Sequence, residues 1–281
     1  MRRVLVLGAT GMLGRVVFAR LKRSYGKGVV GTARQKRKGL AFFDAKKHSV
    51  AKLLRTQQFD FVVNCIGVLR GGTRNDLTRM NAEFPRVLAK MGEKIGSKVI
   101  HISTDAVFAP TVRADETTRP SPSDLYGRSK LRGEIGEKGV TIRTSIVGLD
   151  PKEHKGLLEL CLRRDGRDVP GYINHLWTGC TTLQLAAFVE WMMKRENFEK
   201  TRTLGVVHFA PLGPVSKYDI LRVFAGMTGG IHVRKVKGPI LTRTLKSRYG
   251  KTLQMHHYTH SLERALREVI RFDAKYLRTR V

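Results

Sequence analysis

Tyr126 and Lys130 form the residue pair in this sequence whose types and spacing best suit acid–base chemistry on a carbonyl or an alcohol. Residues four apart on a helix are neighbours on one face, so the phenol and the ammonium would lie side by side. The pKa of a phenol is about 10, and a neighbouring ammonium lowers it by stabilising the phenolate. A tyrosine in this setting can give a proton to a ketone oxygen and take one from an alcohol.

A second polar group, Ser103-Thr104-Asp105, stands at the end of a predicted strand. The hydroxyl of its threonine could hold the oxygen on which Tyr126 acts. The helix of Tyr126 follows a proline-containing loop, and either Ser123 or Asp124 can cap it. A tyrosine and a lysine at this spacing are usually only a surface pair. The polar strand end and the glycine-rich turn described next favour the catalytic interpretation.

The first fourteen residues have the pattern of a phosphate-binding turn. Val4–Leu7 is an apolar run typical of a buried strand, and Gly8, Gly11 and Gly14 follow it at GxxGxxG spacing. These glycines allow a tight turn, a close approach of pyrophosphate to the backbone, and close packing of the next helix. That helix is predicted from Met12 to about Tyr25, and its N-terminal amides attract phosphate. The alternative is an ordinary strand–turn–helix.

A second predicted strand, residues 28–33, indicates which dinucleotide would bind. An Asp or Glu near its end binds the ribose 2′-hydroxyl of NAD, whereas an arginine accommodates the 2′-phosphate of NADP. The sequence has Arg34 and three more basic residues up to position 38, with no carboxylate before Asp44. NADPH is therefore favoured over NADH, and the alternative is a basic surface loop. Asp44 and Ala45 are suitably placed for the adenine.

Strands and helices alternate along the first half of the chain, which predicts an α/β fold with a doubly wound parallel sheet of the Rossmann type. The further predicted strands are residues 40–43, 59–66, 98–103 and 140–147, and the further helices are residues 46–57 and 76–95. The fourth strand ends in Asn64-Cys65-Ile66-Gly67, at the sheet edge where ligands bind in open α/β folds.

The composition is that of a globular protein with an unusual charge. The 281 residues are 41% hydrophobic, and the formal net charge is +30. Such a charge attracts polyanions, so nucleic acid is one candidate partner, although no recognition motif accompanies it. The apolar run at the N-terminus is too short for a signal peptide, which predicts a cytoplasmic protein. Three separated cysteines, Cys65, Cys161 and Cys180, suggest reduced thiols.

These motifs resemble the extended short-chain dehydrogenase/reductase family, and within it dTDP-4-dehydrorhamnose reductases and related sugar-nucleotide reductases. The resemblance covers roughly residues 1–190 and rests on motifs that occur in the same order, namely the glycine turn, 64–67, Asn81-Ala82, 103–108, Glu116, 126–130 and 143–148. It implies a Rossmann domain, a nicotinamide cofactor and a Thr–Tyr–Lys catalytic group. Thr104 and Tyr126 would bind the keto oxygen, Tyr126 would be the acid, and Lys130 would hold the nicotinamide ribose.

The predicted cofactor site contains Tyr126 and Lys130 together with Gly8, Thr10, Gly11, Met12, Leu13, Gly14, Arg34, Asp44, Ala45, Cys65, Ile66 and Gly67. Three positions on the substrate side depart from the pattern of these reductases. Ala106 stands where they usually have Tyr, Ala109-Pro110 replaces Asp-Gly, and Ile146 replaces a Trp of many members. The resemblance therefore defines the redox chemistry better than the sugar.

The predicted domains are residues 1–150, which bind the dinucleotide, and residues 151–281, a smaller substrate-binding region. Residues 178–210 are expected to return to the Rossmann sheet. Asp105, Asn174 and Trp177 join Thr104 as the predicted substrate contacts, with core packing the alternative for Trp177.

Three functions follow from the sequence. The leading one is NADPH-dependent reduction of a nucleotide-linked 4-keto-6-deoxy sugar, with another nucleotide-sugar epimerase or reductase as its close variant. The second is a non-catalytic dinucleotide-binding regulatory subunit, and the third is nucleic-acid binding. A homodimer is compatible with all three. His256 and His260 lie four apart, but no acidic or cysteine ligand is close in sequence, so no metal is predicted.

Overall fold

The structure, a computed structural model, describes residues 2–69, 72–150, 156–162, 166–229 and 231–277. The chain forms two compact units that are interleaved along the sequence. The first unit comprises Met1–Ala109, Arg119–Arg143 and Ala186–Val207, and the second comprises Pro110–Thr118, Thr144–Leu185 and His208–Val281. The predicted functional division between residues 1–150 and 151–281 stays a prediction, because compactness alone does not assign a ligand to either unit.

The strands within the described residues are β1 (Val4–Leu7), β2 (Val29–Ala33), β3 (Ala41–Phe42), β4 (Phe61–Asn64), β5 (Lys98–Ile102), β6 (Thr111–Ala114), β7 (Val140–Arg143), β8 (Ile146–Val147), β9 (Asp168–Tyr172), β10 (Leu176–Thr181), β11 (Val206–His208), β12 (Leu212–Ser216), β13 (His232–Val236) and β14 (Arg243–Leu245). The α-helices there are α1 (Met12–Tyr25), α2 (Val50–Thr56), α3 (Arg74–Leu77), α4 (Phe84–Ile95), α5 (Leu125–Arg132), α6 (Glu159–Leu162), α7 (Thr182–Trp191), α8 (Arg195–Arg202), α9 (Lys217–Thr228) and α10 (Leu262–Phe272). Short 3₁₀ turns cover Gly26–Gly28, Asp105–Val107, Gly136–Lys138 and Met255–Tyr258, and π-helical turns cover Thr78–Glu83 and Asp273–Leu277.

A seven-stranded sheet organises the first unit, in the order β3-β2-β1-β4-β5-β7-β11 across the described residues. The pairs from β3 to β7 are parallel. β1 and β4 are buried along their whole length, as expected for strands covered by helices on both faces. The predicted Rossmann-type doubly wound fold is therefore confirmed.

The predicted sixth strand, residues 140–147, was wrong in its extent. β7 ends at Arg143, and Ile146–Val147 forms β8, which pairs with β10 of the second unit. Hydrogen bonds within the second unit explain the change of direction. The Thr144 hydroxyl donates to the carbonyl of Phe209 at 2.6 Å, and the carbonyl of Ser145 accepts from the amide of Cys180 at 2.9 Å.

The predicted helix over residues 76–95 is divided into α3, a π-helical turn and α4. The π-helical turn carries Asn81, whose buried amide group bonds to both backbone groups of Val68 at 2.8 Å. The predicted helix over residues 46–57 begins only at Val50, because the preceding backbone forms a turn in which the Asp44 carboxylate accepts from the amide of Lys46.

The second unit is built around β10, which pairs with β8, β12 and β14. Its apolar core includes Trp177, Phe224 and Leu266, contributed by β10, α9 and α10. The core of the first unit lies between the sheet and its helices and includes Leu7, Val62 and Leu88. Among the helices of the described residues, none is long and apolar enough to cross a bilayer.

Candidate active site

The glycine turn connects β1 to α1 with almost no space for side chains. Gly8 has a φ of +77°, and a Cβ on Gly14 would lie 2.1 Å from the carbonyl oxygen of Gly8. Gly11 is the N-cap residue of α1, and neither a capping side chain nor an acidic residue stands in the first turn, which contains Met12 and Leu13. The first amides of α1 therefore keep the hydrogen-bonding capacity that binds phosphate at a helix N-terminus.

The predicted cofactor residues lie at the carboxyl ends of neighbouring strands. β2, β1 and β4 are adjacent and parallel, so Arg34, the glycine turn and Cys65 share one edge of the sheet. Arg34 and the basic residues up to position 38 are exposed. Ala45 and the partly buried Asp44 lie in the turn after β3, and Ile66 and Gly67 follow Cys65 in the loop after β4.

Thr104 is the N-cap residue of the 3₁₀ turn that follows β5. Its hydroxyl accepts a hydrogen bond from the amide of Ala106 at 3.2 Å and donates one to the carboxylate of Asp105 at 3.0 Å. The residue is 8% exposed. Two local hydrogen bonds thus fix the hydroxyl at the end of the strand, and its proton points to a carboxylate.

Close backbone packing joins the turn of Thr104 to the helix of Tyr126. A Cβ on Gly127 would lie 2.1 Å from the carbonyl oxygen of Ala106, so only glycine fits this position of α5. Asp124 caps the helix by accepting from the amide of Gly127 at 2.6 Å. Of the two predicted capping residues, the structure thus selects Asp124. Tyr126 is half-buried at this junction.

A chain of buried hydrogen bonds holds the helix α5 against the π-helical turn. The Ser129 hydroxyl donates to the carbonyl of Tyr126 at 2.7 Å and accepts from the amide of Asn81 at 3.1 Å. Asn81 also holds Val68 in the loop after β4, so this loop and the start of α5 share one anchor. The sequence motif contained Asn81 but gave it no role. Asn81 lies in the π-helical turn, and such turns occur frequently at functional sites.

Lys130 is buried and ties α5 to the end of β5. Its ammonium donates to the carbonyl of Ile102 at 2.6 Å. Burial lowers the pKa of Lys130 to about 8, while the carboxylate of Glu134 acts in the opposite direction. Burial also raises the pKa of the Cys65 thiol to about 12, so this cysteine stays protonated. An ammonium with this pKa can change its protonation near neutral pH.

Two further polar groups beside Lys130 were not found by sequence reasoning. His101 on β5 is fully buried, and its Nδ1 lies 3.1 Å from the side-chain nitrogen of Asn64. Burial, and then the charge of Lys130, holds the pKa of His101 well below its usual range, so the imidazole is neutral. Glu134 binds Arg143 and the hydroxyl of Ser103. Its position four residues after Lys130 was the available signal, although α5 ends at Arg132, before Glu134.

The predicted substrate residues of the second unit have structural partners within that unit. The side chain of Asn174 bonds to the carbonyl and the amide of Gly238 at 2.5 and 3.0 Å. Trp177 is 8% exposed and packs in the apolar core. Their roles toward a sugar nucleotide stay predictions. Among the residues that the structure describes, no cluster of three or more His, Cys, Asp or Glu side chains could hold a metal.

Comparisons with known proteins place this architecture in a family. A family model described as the RmlD substrate binding domain matches residues 1–242. Methionine adenosyltransferase 2 subunit beta of Danio rerio is 34% identical over 241 residues, which cover 78% of this chain and 72% of that protein. The Rattus norvegicus protein of the same name is 34% identical over 47% of this chain and 42% of its own length, so the chain spans less than half of it. dTDP-4-dehydrorhamnose reductase of Salmonella typhimurium is 29% identical over 60% of each chain.

Solved structures share the fold. A dTDP-4-dehydrorhamnose reductase from Bacillus anthracis in complex with NADP superimposes with a TM-score of 0.75 at 19% identity, over 96% of this chain and 99% of that chain. A hypothetical dTDP-4-dehydrorhamnose reductase from Sulfolobus tokodaii gives a TM-score of 0.73 at 21% identity, over 89% and 94% of the two chains.

Proposed function

Because the chain belongs to the RmlD substrate binding domain family, we propose that it is an NADPH-dependent reductase of a nucleotide-linked 4-keto-6-deoxy sugar, acting in the cytoplasm. One observation supports this most strongly. The contact between Gly127 and the carbonyl of Ala106 brings the turn of Thr104 against the start of the helix that carries Tyr126 and Lys130. A carbonyl oxygen held at this junction would meet a hydroxyl and a phenol together.

The glycine turn fits a dinucleotide. A side chain at Gly14 would collide with the turn itself, and the first amides of α1 lack a capping side chain. These amides would hold the pyrophosphate, and Arg34 would bind the 2′-phosphate that distinguishes NADPH from NADH. Lys130 would hold the nicotinamide ribose. When bound, NADPH supplies a hydride to the keto carbon of the sugar.

The residues of this chain supply the proton and the orientation. Tyr126 would give its phenolic proton to the keto oxygen of the sugar, which would become the hydroxyl oxygen of the product. The Thr104 hydroxyl, which donates to the Asp105 carboxylate in this structure, would change its acceptor and donate to the same keto oxygen. Lys130, as an ammonium, would stabilise the phenolate that remains. Asp105, Asn174 and Trp177 are the proposed sugar-nucleotide contacts.

Replacing Tyr126 by Phe tests the reductase. NADPH oxidation in the presence of dTDP-4-dehydrorhamnose should fall by roughly 10²- to 10⁴-fold, the contribution typical of a general acid. Tyr25→Phe, at the end of α1, is the matched control and should keep full turnover. Undiminished activity of the Tyr126→Phe enzyme would remove that residue from its role. Deuterium incorporation at ring carbons next to the keto group would identify an accompanying epimerase activity.

The second candidate function is a regulatory subunit that holds a dinucleotide. It is favoured by the 34% identity to the Danio rerio protein, whose name describes a subunit of methionine adenosyltransferase. Retained NADPH binding without turnover over a panel of nucleotide sugars would support this candidate. The intact set of Thr104, Tyr126 and Lys130 favours the reductase. Nucleic-acid binding, suggested only by the charge, would be tested by a salt titration with DNA and RNA.

A further inference from the structure

A cavity of about 230 Å³ lies on the first unit between α5 and the segment formed by α3 and the π-helical turn. None of its lining residues belongs to the proposed cofactor site. They are Arg74, Leu77, Thr78, Ala82, Leu125, Arg128, Ser129 and Arg132. The cavity is thus a separate concave site on the helix that carries Tyr126 and Lys130.

Three arginines give this cavity its charge. Arg74, Arg128 and Arg132 are exposed, and no carboxylate is among the described residues that line the cavity. Arg128 and Arg132 lie four apart on α5, where like charges repel. The nearby carboxylate of Asp76 is already bound to the ammonium of Lys46 at 2.5 Å. An anion in the cavity would relieve the repulsion among the three guanidinium groups.

The remaining walls define the kind of anion. Leu77 and Ala82 form an apolar lining, and Thr78 adds a hydroxyl. The Ser129 hydroxyl already donates its proton to the carbonyl of Tyr126. The volume is below the range of about 300–1,000 Å³ that holds drug-sized ligands. The cavity therefore suits a small ligand with a compact charged group.

We propose that this cavity binds a small molecule that carries a phosphate monoester. Arginine forks form paired hydrogen bonds with phosphate oxygens, and the three terminal oxygens of a monoester can meet three guanidinium groups. A single carboxylate offers only two oxygens, and a phosphodiester of nucleic acid has two free ones.

Site-resolved arginine modification tests the proposal, with inorganic phosphate as the probe. Phosphate should slow the reaction of phenylglyoxal with Arg74, Arg128 and Arg132, measured by mass spectrometry of peptides from the intact protein. Arg55 and Arg86, which are exposed elsewhere on the first unit, should react at an unchanged rate. Acetate and a short DNA oligonucleotide without terminal phosphates serve as the carboxylate and diester arms, and NADH, which carries no phosphate monoester, serves as the arm for the proposed cofactor site. Equal protection by any of these arms, or equal protection of Arg55, would overturn the proposal.

A variant pair gives the second measurement. The double change R128Q/R132Q should weaken phosphate binding, measured by calorimetry, by roughly tenfold or more, as expected when hydrogen bonds to charged groups are lost. The matched change R55Q/R86Q removes the same charge and should leave the affinity within about twofold, since exposed charges elsewhere act only through the screened field. Unchanged binding in R128Q/R132Q would refute the site. NADPH binding is read separately, so failure here leaves the proposed function untouched.

Discussion

Glu134 and Arg143 form a buried, two-pronged ion pair at the carboxyl edge of the first sheet. The Arg143 Nε lies 2.8 Å from one carboxylate oxygen, and its Nη2 lies 2.7 Å from the other. Both side chains are less than 10% exposed. The Ser103 hydroxyl donates to the same carboxylate at 2.9 Å, and the guanidinium lies 5.2 Å from the ring centre of Phe108. The pair thus joins the ends of β5 and β7 to the residues just after α5.

Removing one partner of this pair should be costly. Arg143→Leu leaves the Glu134 carboxylate buried without its counter-charge, and the free energy of unfolding should fall by about 3–5 kcal/mol. Urea denaturation provides the measurement. The exposed pair of Lys138 and Glu93 is the control, and Lys138→Leu should cost less than about 1 kcal/mol. Similar losses of unfolding free energy in the two variants would show that burial does not determine the contribution of an ion pair to stability.

The packing of Gly127 against Ala106 should control both stability and catalysis. Gly127→Ala places a methyl group 2.1 Å from a carbonyl oxygen, so α5 must shift from the turn of Thr104. We expect a loss of about 1–3 kcal/mol in unfolding free energy. The kcat for sugar reduction should fall more than the affinity for NADPH changes.

Gly226 in α9 offers the matched substitution, because no atom lies within 4 Å of a Cβ placed there. Gly226→Ala should raise the stability by about 0.5–1 kcal/mol, the ordinary gain in a helix interior. A Gly127→Ala enzyme as stable and as active as the wild type would show that the junction tolerates movement.

The lowered pKa of Lys130 predicts a pH dependence of stability. The pKa of Lys130 is about 8 in the folded state and 10.5 in the unfolded state. Between these two pH values, the unfolded chain binds a proton that the folded chain does not. Stability contributed by this group therefore rises with pH across that interval. The stability of the wild type relative to Lys130→Met should increase by about 3 kcal/mol from the lower to the upper pH.

Denaturation of both proteins across this pH range measures the difference directly. Other groups titrate in both proteins alike and cancel in the comparison. Lys138→Met, at the exposed pair, should show a flat difference. A flat difference for Lys130→Met as well would mean that the ammonium is solvated in the folded protein.

Arg34 should determine the cofactor preference of the proposed reductase. Arg34→Gln removes a charged partner of the 2′-phosphate, and the affinity for NADPH should fall by roughly tenfold or more. The affinity for NADH, which lacks that phosphate, should stay within about twofold. Fluorescence titration with both cofactors measures this, with Arg55→Gln as the charge-matched control. If the affinities for NADPH and NADH fell equally, Arg34 would act only through the overall positive charge of the chain and not on the 2′-phosphate.

The fold was predictable where local pattern and tertiary structure agree. Val4–Leu7 and Met12–Tyr25 have the predicted bounds, since a glycine turn separates an apolar run from an amphipathic one. Within residues 76–95 the sequence contained one signal for the break, since Pro85, in the first turn of α4, has no backbone amide to donate to a helix that continues from α3. β8 departs from the first sheet because of hydrogen bonds to residues more than 30 positions away.

The candidate site was predictable as a set of residues but not as a network. Tyr126, Lys130 and Thr104 were identified from spacing and resemblance. The hydrogen bond from Lys130 to the carbonyl of Ile102 joins groups 28 positions apart. Because the acceptor is a backbone group, no pattern of side chains in the sequence predicts this bond. The pairing of Asn174 with Gly238 spans 64 positions. Such contacts depend on which strands become neighbours, which local spacing does not specify.

The interleaved chain path has a consequence for any attempt to dissect the protein. A fragment cut after residue 150 would lack Ala186–Val207, which belongs to the first unit, and most of β11. β7 would then become an uncovered outer strand with free amides and carbonyls, the kind of edge on which other chains aggregate. A self-sufficient first half would have to carry this distant segment with it, joined by an engineered linker.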